Sequence, residues 1–464
     1  MLTYDMESRG ALSMYDYLYR CIRDDICKGK LKEGEKLPSK RTLAEHLGVS
    51  VITIENAYAQ LAAEGYISPV EKRGYFICFT ADEYHTETKN VQAADIEQKN
   101  DVKPFADFVS NSMRAEYFPF SVWAKLMRRA LSESESVMLS ADGTGGSMLL
   151  RTAIADYLRR CRAMSVEPEQ VIVGAGTEYL YNLLIQLLGR DKIYATEDPG
   201  YLKISQIYSL CGVGCERIEM DRDGILPERL DECGAKVVHI SPSHHYPTGT
   251  VTPAKRRGEL IEWADKADGY IIEDDYDSEF RFSGRPIATM QSRDSFGRVI
   301  YINTFSKSLS PSLRISYMVL PHRLLNQFYK KLGVYSSTVP AIMQHTLAQF
   351  ISEGWFERHI NRMKNRYRIC RDIVISAIQK SRFADITQIE EADSGLHFIL
   401  KLNTDTPDSE IIKKAAANGI RLSCLNDHST KPRKEYEHRL IINYSGVDPQ
   451  RIADAVSRME KAML

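Results

Sequence analysis

The stretch Thr304-Phe305-Ser306-Lys307-Ser308-Leu309-Ser310-Pro311-Ser312-Leu313-Arg314 decides how the larger part of this chain folds. It follows the apolar run Val299-Ile300-Tyr301-Ile302, which reads as a strand. A lysine in an apolar-flanked loop differs from a solvated surface amine. Desolvation and nearby cations lower its pKa, which leaves an amine able to attack an aldehyde. Ser306 and Arg314 flank Lys307 as donors suited to a phosphate.

Further out, Ile271-Ile272-Glu273-Asp274-Asp275-Tyr276 places two acids and a tyrosine just past another strand. Ligands of open α/β sheets bind at the carboxyl ends of strands. An Asp there can pair with a protonated pyridine nitrogen, as an electron-sink cofactor requires, or simply cap a helix. Val173-Gly174-Ala175-Gly176-Thr177-Glu178 runs from a strand into an amphipathic helix, whose N-terminus favours an anion. It is not a G-x-G-x-x-G fingerprint, and a plain strand-to-helix turn explains it equally well. Glu197-Asp198-Pro199-Gly200-Tyr201 sets an aromatic ring on a turn, able to stack on a flat ligand.

These motifs sit in a regular alternation. Val171-Ile172-Val173, Lys192-Ile193-Tyr194, Val237-Val238-His239-Ile240, Tyr270-Ile271-Ile272, Val299-Ile300-Tyr301-Ile302 and residues 315–320 read as strands between amphipathic helices. A mostly parallel sheet with helices on both faces is expected. A long helical stretch follows from about Val334 to Gln379, then a second α/β portion with strands over residues 396–402 and 440–444.

Residues 1–78 read differently. A helix over residues 12–27 places Leu12, Tyr15, Tyr19 and Ile22 on one face. Ser39 caps a second helix, Lys40–Leu47, and Ser50 a third, in which Ile54, Ala57, Tyr58 and Leu61 recur at helical spacing. Gly65 suits a left-handed helix end. Tyr66-Ile67 and Tyr75-Phe76-Ile77 read as strands joined through Glu71-Lys72-Arg73-Gly74. Helix, helix–turn–helix and basic hairpin make a winged helix-turn-helix. Lys40, Arg41, Ser50, Thr53, Lys72, Arg73 and Gly74 are the candidate DNA contacts. Charge does not argue for this, because the segment carries 11 Lys/Arg and 11 Asp/Glu.

The whole chain of 464 residues is near neutral, with 61 Lys+Arg against 62 Asp+Glu, so a nucleic-acid partner must be argued locally. At 43% hydrophobic and 27% charged it is an ordinary globular composition. No apolar run approaches a spanning helix and the N-terminus is not a secretory signal, so a cytoplasmic protein without a membrane partner is expected. Nine scattered cysteines read as reduced thiols, and no metal site is expected, Cys211 and Cys215 included. The polar segment 79–104 reads as a linker, leaving 105–464 as the second unit. Its large lobe is expected over about 140–335. The small lobe would take about 336–464 and part of 105–139.

The run from Lys36 to Ser50, with Ala57-Tyr58-Ala59-Gln60-Leu61-Ala62-Ala63-Glu64-Gly65-Tyr66-Ile67, resembles GntR-family DNA-binding domains. Family members often carry Arg after the Ser50 position, where this chain has Val51, and Glu55 is acidic on the same helix. Direct base readout is therefore expected to be thin, with phosphate contacts carrying more of the affinity. The second unit, including Ser241-Pro242-Ser243-His244-His245-Tyr246-Pro247-Thr248-Gly249, resembles fold-type I aminotransferases. The two together resemble the MocR/GabR subgroup of GntR-type regulators over nearly the whole chain.

The resemblance implies pyridoxal 5'-phosphate as cofactor, with Lys307 forming the internal aldimine. It implies that Asp274 pairs with the pyridine nitrogen, Tyr276 bonds the ring hydroxyl and Tyr201 stacks on the ring. Thr177 and Glu178 (through backbone amides), Ser306 and Arg314 would hold the phosphate. It also implies a head-to-tail homodimer. Tyr246 stands where aminotransferases usually have Asn. For an effector carboxylate the candidates are Arg439, two residues from the register where Ile441 falls, and Lys203, or both are surface cations.

The expected function is a regulator that binds double-stranded DNA and senses a small amine, an amino acid or pyridoxal phosphate itself. A transaminase half-reaction is chemically open to it, and sustained turnover is not expected. The alternatives are a working aminotransferase with a vestigial DNA-binding domain, and a cofactor-controlled regulator with no amine ligand.

Overall fold

Ser39 and Ser50 each end a loop and start a helix. Their hydroxyls accept the backbone N–H of Thr42 and Thr53, both at 3.2 Å. These caps open α2 (Lys40–Leu47) and α3 (Val51–Ala63), and Gly48, at φ +66°, closes α2 in the left-handed region that glycine tolerates. α1 (Met14–Cys27) packs on them. Its inward face is Leu18, Tyr19, Ile22 and Ile26, which meet Leu43, Ile54, Tyr58 and Leu61 in one apolar core. This corrects the expected face: Leu12 precedes the helix and Tyr15 is exposed, so the buried stripe is rotated toward Leu18. β1 (Ile67–Val70) and β2 (Gly74–Ile77) form the antiparallel hairpin, with Ile67 opposite Ile77.

The computed structural model describes residues 2–78, 104–110, 113–133, 142–282, 288–393 and 395–463. The chain divides into two compact units, Met1–Asp101 and Val102–Leu464. The expected linker over 79–104 lies outside the described residues except at Pro104.

In the second unit β3 (Ala106–Asp107), α4 (Phe120–Glu133) and α5 (Met148–Arg162) precede the main sheet. Its strands are β4 (Val171–Gly174), β5 (Tyr194–Asp198), β6 (Cys215–Asp221), β7 (Gly224–Ile225), β8 (Val237–Ile240), β9 (Tyr270–Asp274), β10 (Val299–Thr304) and β11 (Ser316–Val319). The order is β4-β11-β10-β9-β8-β5-β6-β7, and the pairings from β10 through β6 are parallel. β11 runs antiparallel to both β10 and β4. Strands buried on both faces read as near-continuous apolar runs. Ile172, Ile272, Ile300, Ile302 and Met318 belong to one apolar cluster, while Val173, Tyr301 and Tyr317 belong to another.

Two sequence expectations shift. The strand expected at Lys192 begins at Tyr194 and runs on to Asp198. β6 was not expected, because Cys215-Glu216-Arg217-Ile218-Glu219-Met220-Asp221 alternates polar with apolar near the sheet edge and never forms an apolar run.

The long helical stretch is two helices, α6 (Ala341–Ser352) and α7 (Trp355–Gln379), separated where Gly354 turns at φ +73°. An antiparallel sheet follows: β12 (Thr387–Glu390), β13 (His397–Leu402), β14 (Ser423–Cys424) and β15 (Arg439–Asn443), in the order β12-β13-β15-β14. Residues 420–421 pair with β3 in a separate two-stranded parallel sheet, which ties the start of the second unit to the segment just before β14. Among the described residues no helix is long and apolar enough to cross a membrane.

Candidate functional site

Five loops converge where parallel strands end. They follow β4, β5, β8, β9 and β10, and with Val109 and Ser110 they line a cleft of about 390 Å³. A cleft of that size is ample for a small cofactor. Thr177, Glu178, Tyr201, Lys203, Asp274, Tyr276, Ser306, Lys307 and Arg314 all line it. Arg439 does not. It lies on β15 with its Nε 3.0 Å from Glu390 Oε2 of β12. Ile441, two residues on, packs with Ile399 and Leu425, and Tyr246 lies against that cluster.

Asp274 ends β9 inside the protein. Its Oδ2 accepts from the Tyr181 hydroxyl at 2.7 Å and lies 3.4 Å from His239 Nε2. The Tyr208 hydroxyl is 2.7 Å from His239 Nδ1, so a donating Nε2–H leaves Nδ1 to accept from Tyr208. The other carboxylate oxygen, Oδ1, is buried and has no hydrogen-bond partner among the described residues. A buried acceptor is costly unless something donates to it. A protonated ring nitrogen in the cleft is such a donor.

Lys307 sits on the single turn Phe305–Ser308 that follows β10. Burial lowers its pKa, and the Asp277 charge opposes that only in part. The direction is the one a nucleophilic amine requires. Tyr276 is pushed the other way: burial first, then the Asp277 charge, hold its phenol protonated well above the ordinary range. Its hydroxyl is 3.5 Å from His244 Nδ1, which lies 2.9 Å from Asp277 Oδ2.

The loop after β4 leads into the helix Thr177–Leu188, whose N-cap is Gly176 at φ +93°. A Cβ on Gly176 would stand 2.3 Å from the Arg314 guanidinium, so only glycine lets that cation lie against the helix start. Arg314 itself is held in the left-handed region at φ +51°. Its Nη2 and the Lys203 ammonium both bond the Glu178 carboxylate. These contacts lower the Glu178 pKa against the opposing effect of burial, the largest single influence. Lys203 is thus engaged by an acid of the cleft itself. Ser306 donates its backbone N–H to Thr304 Oγ1 at 3.1 Å.

Tyr201 is 51% exposed at the cleft mouth, its ring edge-on to Tyr246 at 5.9 Å. Tyr246 also meets the rings of His397 and His428. Burial pushes the Tyr246 phenol up to about 12 and lowers His245 to about 3. Beside His245, burial raises Glu197 to about 8. The packing behind Tyr246 is aromatic, and His245 and Glu197 there carry no charge at neutral pH. Tyr181, Tyr208 and His239 escaped sequence reading. A histidine inside the apolar run Val237–Ile240 was the available signal.

In the first unit, α2 and α3 present Lys40, Arg41, Ser50 and Thr53, and the β1–β2 turn presents Lys72, Arg73 and Gly74. Arg41, Lys72 and Arg73 are exposed, with Lys72 at φ +58° and Gly74 at φ +110°. Lys40 Nζ bonds Glu55 Oε1 at 2.6 Å and lies over the Tyr75 ring. Glu55 therefore draws one candidate DNA cation back onto the protein. Among the described residues, no cluster of three His, Cys, Asp or Glu could hold a metal.

Fold and site define a winged helix-turn-helix joined to an aminotransferase-like unit. Residues 14–77 match the model of bacterial regulatory proteins of the gntR family, and residues 106–459 match aminotransferase class I and II. The chain belongs to the MocR-type GntR regulators, DNA-binding transcriptional regulators that carry an aminotransferase-like domain. It is 35% identical to the uncharacterized HTH-type transcriptional regulator YdeL of Bacillus subtilis, over 97% of each chain. It is 30% identical to the probable rhizopine catabolism regulatory protein MocR of Rhizobium meliloti, over 100% of this chain and 96% of that one. The kynurenine aminotransferase of Pyrococcus horikoshii, solved in complex with PMP, matches at a TM-score of 0.67 and 22% identity, over 77% of this chain and 90% of its own.

Proposed function

We propose that the second unit binds pyridoxal 5'-phosphate and senses a small amine, an amino acid or the cofactor itself. The observation that carries this is the buried, unpartnered Oδ1 of Asp274 in the same cleft as the pKa-lowered amine of Lys307. When bound, the cofactor supplies an aldehyde carbon for amines and a ring that accepts electrons. Asp274 would offer Oδ1 to a protonated ring nitrogen, while Tyr181 and His239 hold its Oδ2. Tyr276, which keeps its proton, would donate to the ring hydroxyl. Arg314, Ser306 and the N–H groups opening the helix at Thr177 and Glu178 would hold the phosphate. Tyr201, at the mouth, would cover the ring.

An effector amine would share the cleft with Lys307, whose amine burial keeps poised to lose its proton. DNA affinity changes to the extent that the two states of the second unit hold the DNA-binding unit differently. Lys40, Arg41, Ser50, Thr53, Lys72, Arg73 and Gly74 make the DNA contacts. The protein works in the cytoplasm as a homodimer, which calls for paired half-sites.

The test is Lys307→Ala. It should abolish the visible absorbance of the lysine-bound cofactor and the ligand dependence of DNA binding together. If both survive unchanged, the sensor reading is wrong.

A further inference from the structure

The opening turn of α3 carries two side chains that neither its own fold nor its caps use. The buried face of the helix is Ile54, Ala57, Tyr58 and Leu61. Val51 and Ile52 point away from it, 41% and 68% exposed. The polar groups of the same turn are satisfied locally. Ser50 Oγ takes the Thr53 N–H, and the Ser50 and Thr53 hydroxyls lie 2.9 Å apart. Glu55 is held by Lys40. Beside Ser50, this turn offers aliphatic surface outward, and Arg41 and the wing residues Lys72 and Arg73 are exposed as well.

A recognition helix contacts base edges through its N-terminal residues. In the major groove the one apolar mark on a base pair is the thymine 5-methyl group. We propose that Val51 and Ile52 read thymine methyls, so that each operator half-site carries one or two thymines facing the start of α3. The inference rests on the DNA-contact reading above. It reverses the expectation that losing an arginine at Val51 leaves base readout thin. Phosphate contacts by Arg41, Lys72 and Arg73 supply sequence-independent affinity, and the two aliphatic side chains supply selectivity.

The experiment uses the full-length protein and a random-sequence duplex pool. The tightest duplex selected is resynthesised with each thymine in turn replaced by deoxyuridine, which deletes only the methyl. One or two positions per half-site should weaken binding about fourfold each, the worth of one buried methyl-sized group. The variant Val51→Ala, Ile52→Ala should lose most of that thymine preference, because it removes the larger aliphatic groups. It should melt with the wild type, since both side chains are exposed. Equal wild-type affinity for the thymine and deoxyuridine duplexes overturns the proposal, as does a variant that keeps the thymine preference. Failure to select any duplex removes the DNA-contact reading itself, and this inference with it.

Discussion

The DNA-facing turn of α3 and the cleft at Asp274 treat polar groups in opposite ways. At the turn, each polar group is satisfied by a near neighbour: Ser50 by Thr53, three residues on, and Lys40 by Glu55 on the next helix. In the cleft, Asp274 is held by Tyr181 and His239 from distant parts of the chain, and one oxygen is left over. The first arrangement is complete before any ligand arrives. The second is complete only with one. An exposed group can be removed at modest cost, whereas a buried one strands its partners.

Asp274→Ala gives the largest expected effect. It strands the Tyr181 hydroxyl and His239 inside the protein and removes the acceptor for the ring nitrogen. Stability should fall by roughly 2–4 kcal/mol in denaturant titration, and cofactor should be lost on dialysis. If instead Asp274→Ala is as mild as a surface substitution, the contrast between the two regions fails.

Ser50→Ala tests the other side. Losing one exposed cap should cost about 1 kcal/mol, read as a lower melting temperature of the first unit. Arg73→Ala should weaken binding to all DNA sequences alike and reduce the salt slope by about 1, because a phosphate contact carries no sequence information.

Glu178 bonds both Arg314 and Lys203, so it competes with a phosphate for the cation that would hold it. In Glu178→Gln the amide should tighten cofactor binding several-fold, measured by equilibrium titration, with the gain shrinking as salt rises.

The smallest effect is a pH slope. Glu197 keeps its proton in the folded protein up to about pH 8, and in the unfolded chain only to about 4.5. The folded state therefore binds the extra proton between those values, and this group's contribution to stability falls as pH rises through that window. Glu197→Gln should flatten the decline in melting temperature between pH 5 and pH 8. An unchanged slope would place the titration elsewhere.

The fold class was legible because its signals are local. The caps at Ser39 and Ser50, the apolar strand runs and the helix spacing of Ile54, Ala57, Tyr58 and Leu61 each lie within a short window. The strand β6 was not legible, since an alternating, charge-rich strand next to the sheet edge looks like a surface loop in one dimension. The α1 face was misjudged by one step because Tyr15 is apolar enough to pattern as core and polar enough to stay in water.

For the site, sequence alone determined which residue types gather. Lys307, Asp274, Tyr276, Thr177 and Arg314 each follow a strand, and strand ends in an open α/β sheet share one edge. Tertiary structure alone decided what each is free to do. Arg439 and Glu390 meet across two strands, which takes that cation from the cleft, and Glu178 engages Lys203 from a separate helix. Which Asp274 oxygen remains for a ligand depends on Tyr181 and His239 approaching from elsewhere in the chain. Charges and hydrogen bonds act through space at a few ångströms, and sequence spacing does not report that distance once the chain has turned back on itself.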